Sequence, residues 1–138
     1  MKDFHDVLDF LDSLENDKES KRPEPLSAPE IKRLRETYVE IPEDFIEYLT
    51  QVGAGQVNNC RYMVYGELLK PSDIFDFEDV QEIEHLILLF GDDFAGNPAG
   101  FLVTDKWKIA EISHTSLHLF NVEPTFSEFI RQAIGMND

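Results

Sequence analysis

Four groups of residues have types and spacings that invite a chemical reading. His114 and His118 stand four apart, the spacing that puts two metal ligands on one face of a helix. Their surroundings are strand-like and rich in Thr and Ser. A continuous strand would hold the two Cα atoms ~13 Å apart, too far to chelate one ion, and a turn at Ser116 would be needed to bring them together. Asp92 and Asp93 are adjacent carboxylates, but neighbours at a strand end point apart, and the alternating acids, Gly and closing Glu of a calcium loop are missing. Cys60 falls within a hydrophobic strand-like run, where an inert buried thiol is expected, and no Gly-x-Ser-x-Gly elbow is present. Gly53-Ala54-Gly55 ends a helix instead of opening one and lacks a following Lys-Ser/Thr, so it is no phosphate loop. These residues predict neither catalysis nor a metal or cofactor.

The elements around them follow from periodicity. Phe4, Val7, Leu8, Leu11 and Leu14 give residues 3–15 an amphipathic helical stripe, with Asp6, Asp9 and Asp12 opposite. Residues 16–29 read as a polar, Pro-containing linker. Ser27 and Glu30 form a capping-box pattern with Pro29 near the start of a second helix. A third helix begins at Pro42, has Glu43 and Asp44 in its first turn, buries Phe45, Ile46, Leu49 and Val52, and stops at Gly53. Strands are expected at 60–65 (ended by Gly66), 86–90, 100–105, 108–113 and 117–121, with a turn and short helical piece from Pro71 to about Glu84. Thr125 caps a last helix that turns Phe126, Phe129, Ile130 and Ala133 inward and ends at Gly135. The connections after residue 86 are too short for parallel crossovers, so the sheet is antiparallel there and the class is α+β. At 138 residues and 42% hydrophobic content the chain reads as one domain.

The run from Phe90 to Gly100 is the most constrained stretch, with three glycines, two acids, Asn97 and Pro98 between apolar segments. It reads as strand, structured turn, strand, in which Gly91, Gly96 and Asn97 hold the loop's backbone. For Asp92 and Asp93 the turn role and a partner contact both stand. Trp107, between Lys106 and Lys108, reads either as an edge-covering core residue or as an interface anchor.

Charge narrows the partners. Acids outnumber bases 28 to 12, a formal charge of −16. Bare nucleic acid and anionic membranes are therefore disfavoured, while a basic protein would be attracted. Residues 67–93 carry nine of the acids against one base, Lys70. Ile74, Phe75, Phe77, Val80 and Ile83 are expected to tether that segment to the core and leave the carboxylates, Glu78, Asp79 and Glu82 among them, outward. The segment reads as either a solvated face or a docking surface. The single cysteine excludes an intrachain disulfide, and no apolar run approaches a membrane span or a secretory leader, which predicts a soluble, cytoplasmic protein.

Three blocks, in order, resemble the SUKH superfamily of Smi/Knr-like yeast cell-wall regulators and bacterial immunity proteins. They are Ile41-Pro42-Glu43-Asp44-Phe45-Ile46-Glu47-Tyr48-Leu49 followed by Gly53-Ala54-Gly55, Gly91-Asp92-Asp93 with Gly96-Asn97, and Thr125-Phe126-Ser127-Glu128-Phe129-Ile130. They frame residues 41–134. Two departures are the Gly53-Ala54-Gly55 ending, where an Asn-Gly-Gly-like sequence is more usual, and the first 25 residues, which do not align. The resemblance implies a central sheet flanked by helices and a non-catalytic domain that binds and neutralises a toxin, commonly a nuclease. A regulatory or scaffold module of the Smi/Knr type is the alternative.

Missing ligand spacing and ample apolar content predict that the fold forms without metal or cofactor. Thermal melts with and without a chelator should overlay, and a chelator-induced drop of many degrees contradicts the expectation.

Overall fold

The computed structural model describes residues 3–14 and 22–136. It is an α+β fold built on one six-stranded antiparallel sheet in simple meander order. The strands are β1 (Gly55–Val57), β2 (Tyr62–Leu69), β3 (Ile87–Asp92), β4 (Pro98–Leu102), β5 (Lys108–Ile112) and β6 (Leu119–Glu123). Helices α1 (His5–Leu14), α2 (Ala28–Thr37) and α3 (Glu43–Gln51) precede the sheet, α4 (Phe77–Val80) lies within the β2–β3 connection, and α5 (Phe126–Ala133) closes the chain.

Local chemistry sets the helix starts as the sequence predicts. Ser27 caps α2 through a capping box with Glu30, and Thr125 accepts from the Glu128 amide to cap α5. Pro42 precedes α3 without a side-chain cap, and Glu43 and Asp44 occupy the first turn. Asp44 reaches across to accept from the Ser127 amide at 2.9 Å, joining the starts of α3 and α5.

The sheet separates two apolar layers. On one face α1, α2, α3 and α5 bury Phe4, Phe45, Tyr48, Phe90, Phe101, Phe126 and Phe129 in one cluster. Phe90 is its hub: its ring lies 5.8 Å from Phe45, 4.9 Å from Phe101, 5.0 Å from Phe126 and 5.6 Å from Phe129. Such aromatic contacts add ~0.5–1.5 kcal/mol each beyond the area they bury. On the other face Ile87, Leu89, Leu102, Ala110 and Ile112 meet Phe75 and Ile83 of the β2–β3 connection. Arg131 of α5 makes two 2.8 Å bonds to Asp6 of α1 and lies 4.9 Å over the Phe4 ring, fastening the first helix to the last.

Two bulges shape one end of the sheet. Leu89 pairs with Gly100 and Gly91 with Ala99, so Phe90 is an extra residue in β3. Ile109 pairs with Glu123 and Glu111 with Phe120, so β6 carries an extra residue too. That stretch contains Asn121 at φ 54, a left-handed conformation Asn tolerates.

Several expectations are corrected. The predicted strand at 60–65 begins at Tyr62 and runs through Gly66 to Leu69, past an irregular register between Val64 and Leu69. Strand β1 was unpredicted, being three residues with two polar or Gly positions. Cys60 is exposed in the β1–β2 turn at φ 66, because Asn58, Asn59 and Cys60 reverse the chain in successive left-handed conformations. The strand expected at 100–105 spans Pro98–Leu102, since residues 103–106 form the next turn. Residue 15 of the expected first helix and residues 16–21 of the expected linker lie outside the described residues. The part that follows is held in place: Glu24 bridges to Ala54, and the Leu26 amide bonds to Leu49 O. Ala133 of α5 is half-buried.

The two loop glycines serve different ends. Gly96 sits at φ 93, where an L side chain is strained. A Cβ on Gly91 would lie 2.2 Å from the Met63 carbonyl oxygen and 2.8 Å from the Tyr62 ring. Gly96→Ala should therefore cost about 1 kcal/mol. Gly91→Ala should cost more, because β2 itself must move. Urea unfolding of both variants checks this, and wild-type stability in Gly91→Ala contradicts it.

Candidate functional site

The sequence-predicted site residues lie on three parts of the chain. Glu78, Asp79 and Glu82 are exposed on and just after α4, over the second face of the sheet. They border an open groove of about 570 Å³ whose far wall is the β5–β6 turn, Ser116 to Leu119. Phe77 and Ile74 stand exposed among these acids, Phe77 at 55%. The sequence reading expected both to be buried tethers. Val80, Phe75 and Ile83 do that work instead. Glu84, expected to face outward, is buried and accepts bonds from the Ser72 amide and hydroxyl. The 67–93 segment is therefore not one uniform acidic face.

Asp92 ends β3 and Asp93 opens the β3–β4 turn, at the sheet end that also carries the β1–β2 and β5–β6 turns. They point apart, as neighbours at a strand end do. Asp92 accepts from the Tyr65 hydroxyl at 2.6 Å and from the Phe94 amide at 2.8 Å. Asp93 accepts from the Ala95 and Asn97 amides and from the Asn97 side chain. Burial pushes the Asp93 carboxyl up, but these bonds, led by that from the Asn97 side chain, outweigh it and hold the group below its usual range. Asn97 in turn accepts from the His114 amide at 2.9 Å and lies 2.8 Å from its ring nitrogen, tying two turns together. Asn97 and Gly96 thus hold the loop as expected. Both acids are engaged in turn-forming bonds.

Trp107 occupies the β4–β5 turn at the opposite end of the sheet, a strand length of ~14 Å away. It is half-buried and packs on Phe101 at 5.6 Å and Tyr38 at 6.5 Å. His114 and His118 lie at the start and end of the β5–β6 turn. Among the described residues no group of three or more His, Cys, Asp or Glu is placed to hold a metal ion. No helix of the described residues is long and apolar enough to cross a membrane.

A fourth place was not anticipated. Between the last turn of α5 and the sheet lies a cavity of about 200 Å³ lined by Tyr62, Asp93, Glu111, Asn121, Phe129 and Gln132. Tyr62 is among the lining residues, and its hydroxyl is buried without a hydrogen-bond partner among the described residues. Asn121 donates to Glu111 at 2.6 Å. Burial pushes the Glu111 carboxyl up against that bond, and the nearby charges of Asp93 and Glu123 push it further. One signal was legible: Glu111 is in phase with Ile109, a charge on the strand face that must be buried. The partner elements were not, because only the bulges bring Asp93 and Asn121 to it.

Comparison with protein-family models, curated proteins and solved structures finds no match.

The raised Glu111 value fixes the sign of a pH effect. Its neutral form favours the fold, so its stabilising share is complete below the unfolded value of about 4.5 and is lost as pH rises through the folded value. Glu111→Gln should therefore melt higher than wild type at pH 7, with the advantage shrinking below about pH 4. A lower melting temperature at pH 7 contradicts this.

Proposed function

We propose that this protein is a non-catalytic binding domain of the SUKH type, an immunity protein that neutralises a cognate bacterial toxin, such as a nuclease, by covering the toxin's basic surface. The observation that carries the reading is the α4 surface, where Glu78, Asp79 and Glu82 line an open groove and the neighbouring Phe77 stands exposed in the same short helix. An exposed aromatic next to exposed like charges suits recognition of an oppositely charged partner. A nuclease cleft is positive because it must hold phosphate, and an acidic surface competes for it. The three sequence blocks give the same family reading, and the bonds within the Asp92-Asp93 loop make that turn a rigid neighbour rather than the main contact.

A regulatory or scaffold module of the Smi/Knr type is the second reading. It is favoured by exposed apolar residues elsewhere, Phe94 on the β3–β4 turn and Phe120 and Val122 on β6, which offer further contact points. Affinity capture separates the two: one tight basic partner supports immunity, and several weak partners support a scaffold.

Glu78, Asp79 and Glu82 are exposed, so reversing all three to Lys should leave the fold intact and slow association with a basic partner. Wild-type association should slow as ionic strength rises, and the triple variant should lose most of that dependence. An unchanged association rate in low salt would make this face a solubility feature.

A further inference from the structure

The sheet has two outer strands, and the chain finishes them differently. At β1 the edge is three residues long and covered: Glu24 bridges to Ala54, and the Cα of Pro23 lies 3.6 Å from where a Cβ on Gly55 would stand. At β6 the edge is five residues long, and among the described residues the strand is paired with β5 alone. Its three central residues, Phe120, Asn121 and Val122, are all exposed, Phe120 at 42% and Val122 at 57%. The outer side of such a strand presents backbone donors and acceptors to solvent.

Edge strands are commonly kept from further pairing by Lys, by Pro, by a covering segment or by a bulge. Leu119-Phe120-Asn121-Val122-Glu123 holds no base and no Pro, and Pro124 falls just beyond it. The bulge twists the strand, but pairing resumes past it: Phe120 faces Glu111 before it and Glu123 faces Ile109 after it. The bulge has an internal use, since Asn121 donates from it to Glu111 at 2.6 Å. Phe120 and Val122 are an aromatic and a β-branched residue, the types that stabilise a strand by packing on a neighbour.

Charge selects what can pair there. Glu123 ends the strand, and Glu111 stands across from Phe120 on β5. At the other end, Ser116 to Leu119 form a wall of the groove that Glu78, Asp79 and Glu82 border. Lys108, the one base of β5, is ion-paired with Asp105 at 3.9 Å. A second copy of the chain is the occupant this arrangement opposes, because pairing β6 with β6 joins two chains of formal charge −16.

We propose that the outer edge of β6 takes an extended segment of a basic protein partner as a seventh strand, one in which Lys or Arg alternates with apolar residues. Main-chain bonds along β6 supply the attachment, Phe120 and Val122 pack on the apolar residues of the added strand, and the acids at both ends of β6 select its charge. The assignment rests on the reading of a basic partner only for the source of the segment, and it places that contact on the sheet edge instead of on α4.

Titration of the full chain at low salt with the capped peptide acetyl-Lys-Val-Lys-Val-Lys-Val-Lys-amide, followed by amide NMR shifts and hydrogen exchange, tests the proposal. Saturable shifts centred on β6 are expected, with slowed exchange of its amides. The same peptide N-methylated at every inner amide keeps the charge but cannot pair as a strand, and should bind about tenfold or more weaker. Val122→Lys changes an exposed position, so it should melt as wild type does and weaken binding several-fold. Equal binding of the N-methylated peptide overturns strand pairing and makes the contact one of charge alone. Equal binding of a Ser-Val peptide of the same length overturns the basic partner. Slowed exchange at β6 with rising protein concentration and no peptide, together with a dimer in sedimentation, assigns the edge to a second copy and also overturns the proposal. Shifts confined to α4 overturn the edge assignment and leave the docking-surface reading standing. Protection of β6 that survives reversal of Glu78, Asp79 and Glu82 to Lys supports the edge assignment even where that reading fails.

Discussion

Phe90 is one residue too many in its strand, and much of the molecule depends on that excess. The bulge turns Phe90 and Gly91 to the same face of the sheet in succession. Phe90 becomes the hub to which α3, β4 and α5 are joined by ring contacts. Gly91 must then be bare, because the Met63 carbonyl and the Tyr62 ring occupy the space of its side chain. Every residue beyond the bulge changes face, so Asp92 meets Tyr65 on one side and Asp93 joins the α5 cavity on the other. One backbone irregularity thus sets the aromatic core, the loop and the polarity of a cavity.

The acids of the chain divide by what they touch. Asp6, Glu30, Glu43 and Asp93 hold hydrogen bonds from Arg131, Ser27, Arg35 and Asn97, and each carboxyl lies below its usual range. These are structural acids that clamp helices and turns. Glu84 joins them by burial against Ser72. The acids around α4 carry the outward charge, and Glu111 is the exception that is half-buried and pushed the other way. Net charge alone hides this division, since clamping and steering acids count equally toward −16.

Much of the fold was legible because it is locally specified. The capping box at Ser27, the helix start after Pro42, the Thr125 cap and the apolar run before Gly91 are all short-range signals, and each element stands within a few residues of its expected place. The antiparallel sheet followed from connection length. What escaped was decided by tertiary context. Cys60 belongs to a left-handed turn with Asn58 and Asn59, and its hydrophobic neighbours disguised it as strand. Phe77 and Ile74 look like core residues by type, yet Phe77 opens the four-residue α4, Ile74 lies before it, and both stand exposed. Among the site residues, the loop roles of Gly96 and Asn97 were readable from turn chemistry. Grouping Asp92 and Asp93 with the α4 acids came from sequence proximity, and the β5–β6 turn touches both places, lining the α4 groove and bonding to Asn97. Tyr62, Glu111 and Asn121 come together through bulges, which leave almost no trace in composition.

The meander order has a consequence for assembly of the chain. Each strand pairs with its sequence neighbours, so the sheet zips through successive short closures, and no strand waits for a distant one. The clasp of Arg131 on Asp6 spans 125 residues. Closing that span in an unfolded chain costs about 3 kcal/mol more entropy than closing a five-residue hairpin. The clasp therefore closes most cheaply last, across a finished sheet that has already brought its ends near. Because the clasp joins two helices and no strand, its release would free α1 from α5 and uncover Phe4 without breaking a strand pair.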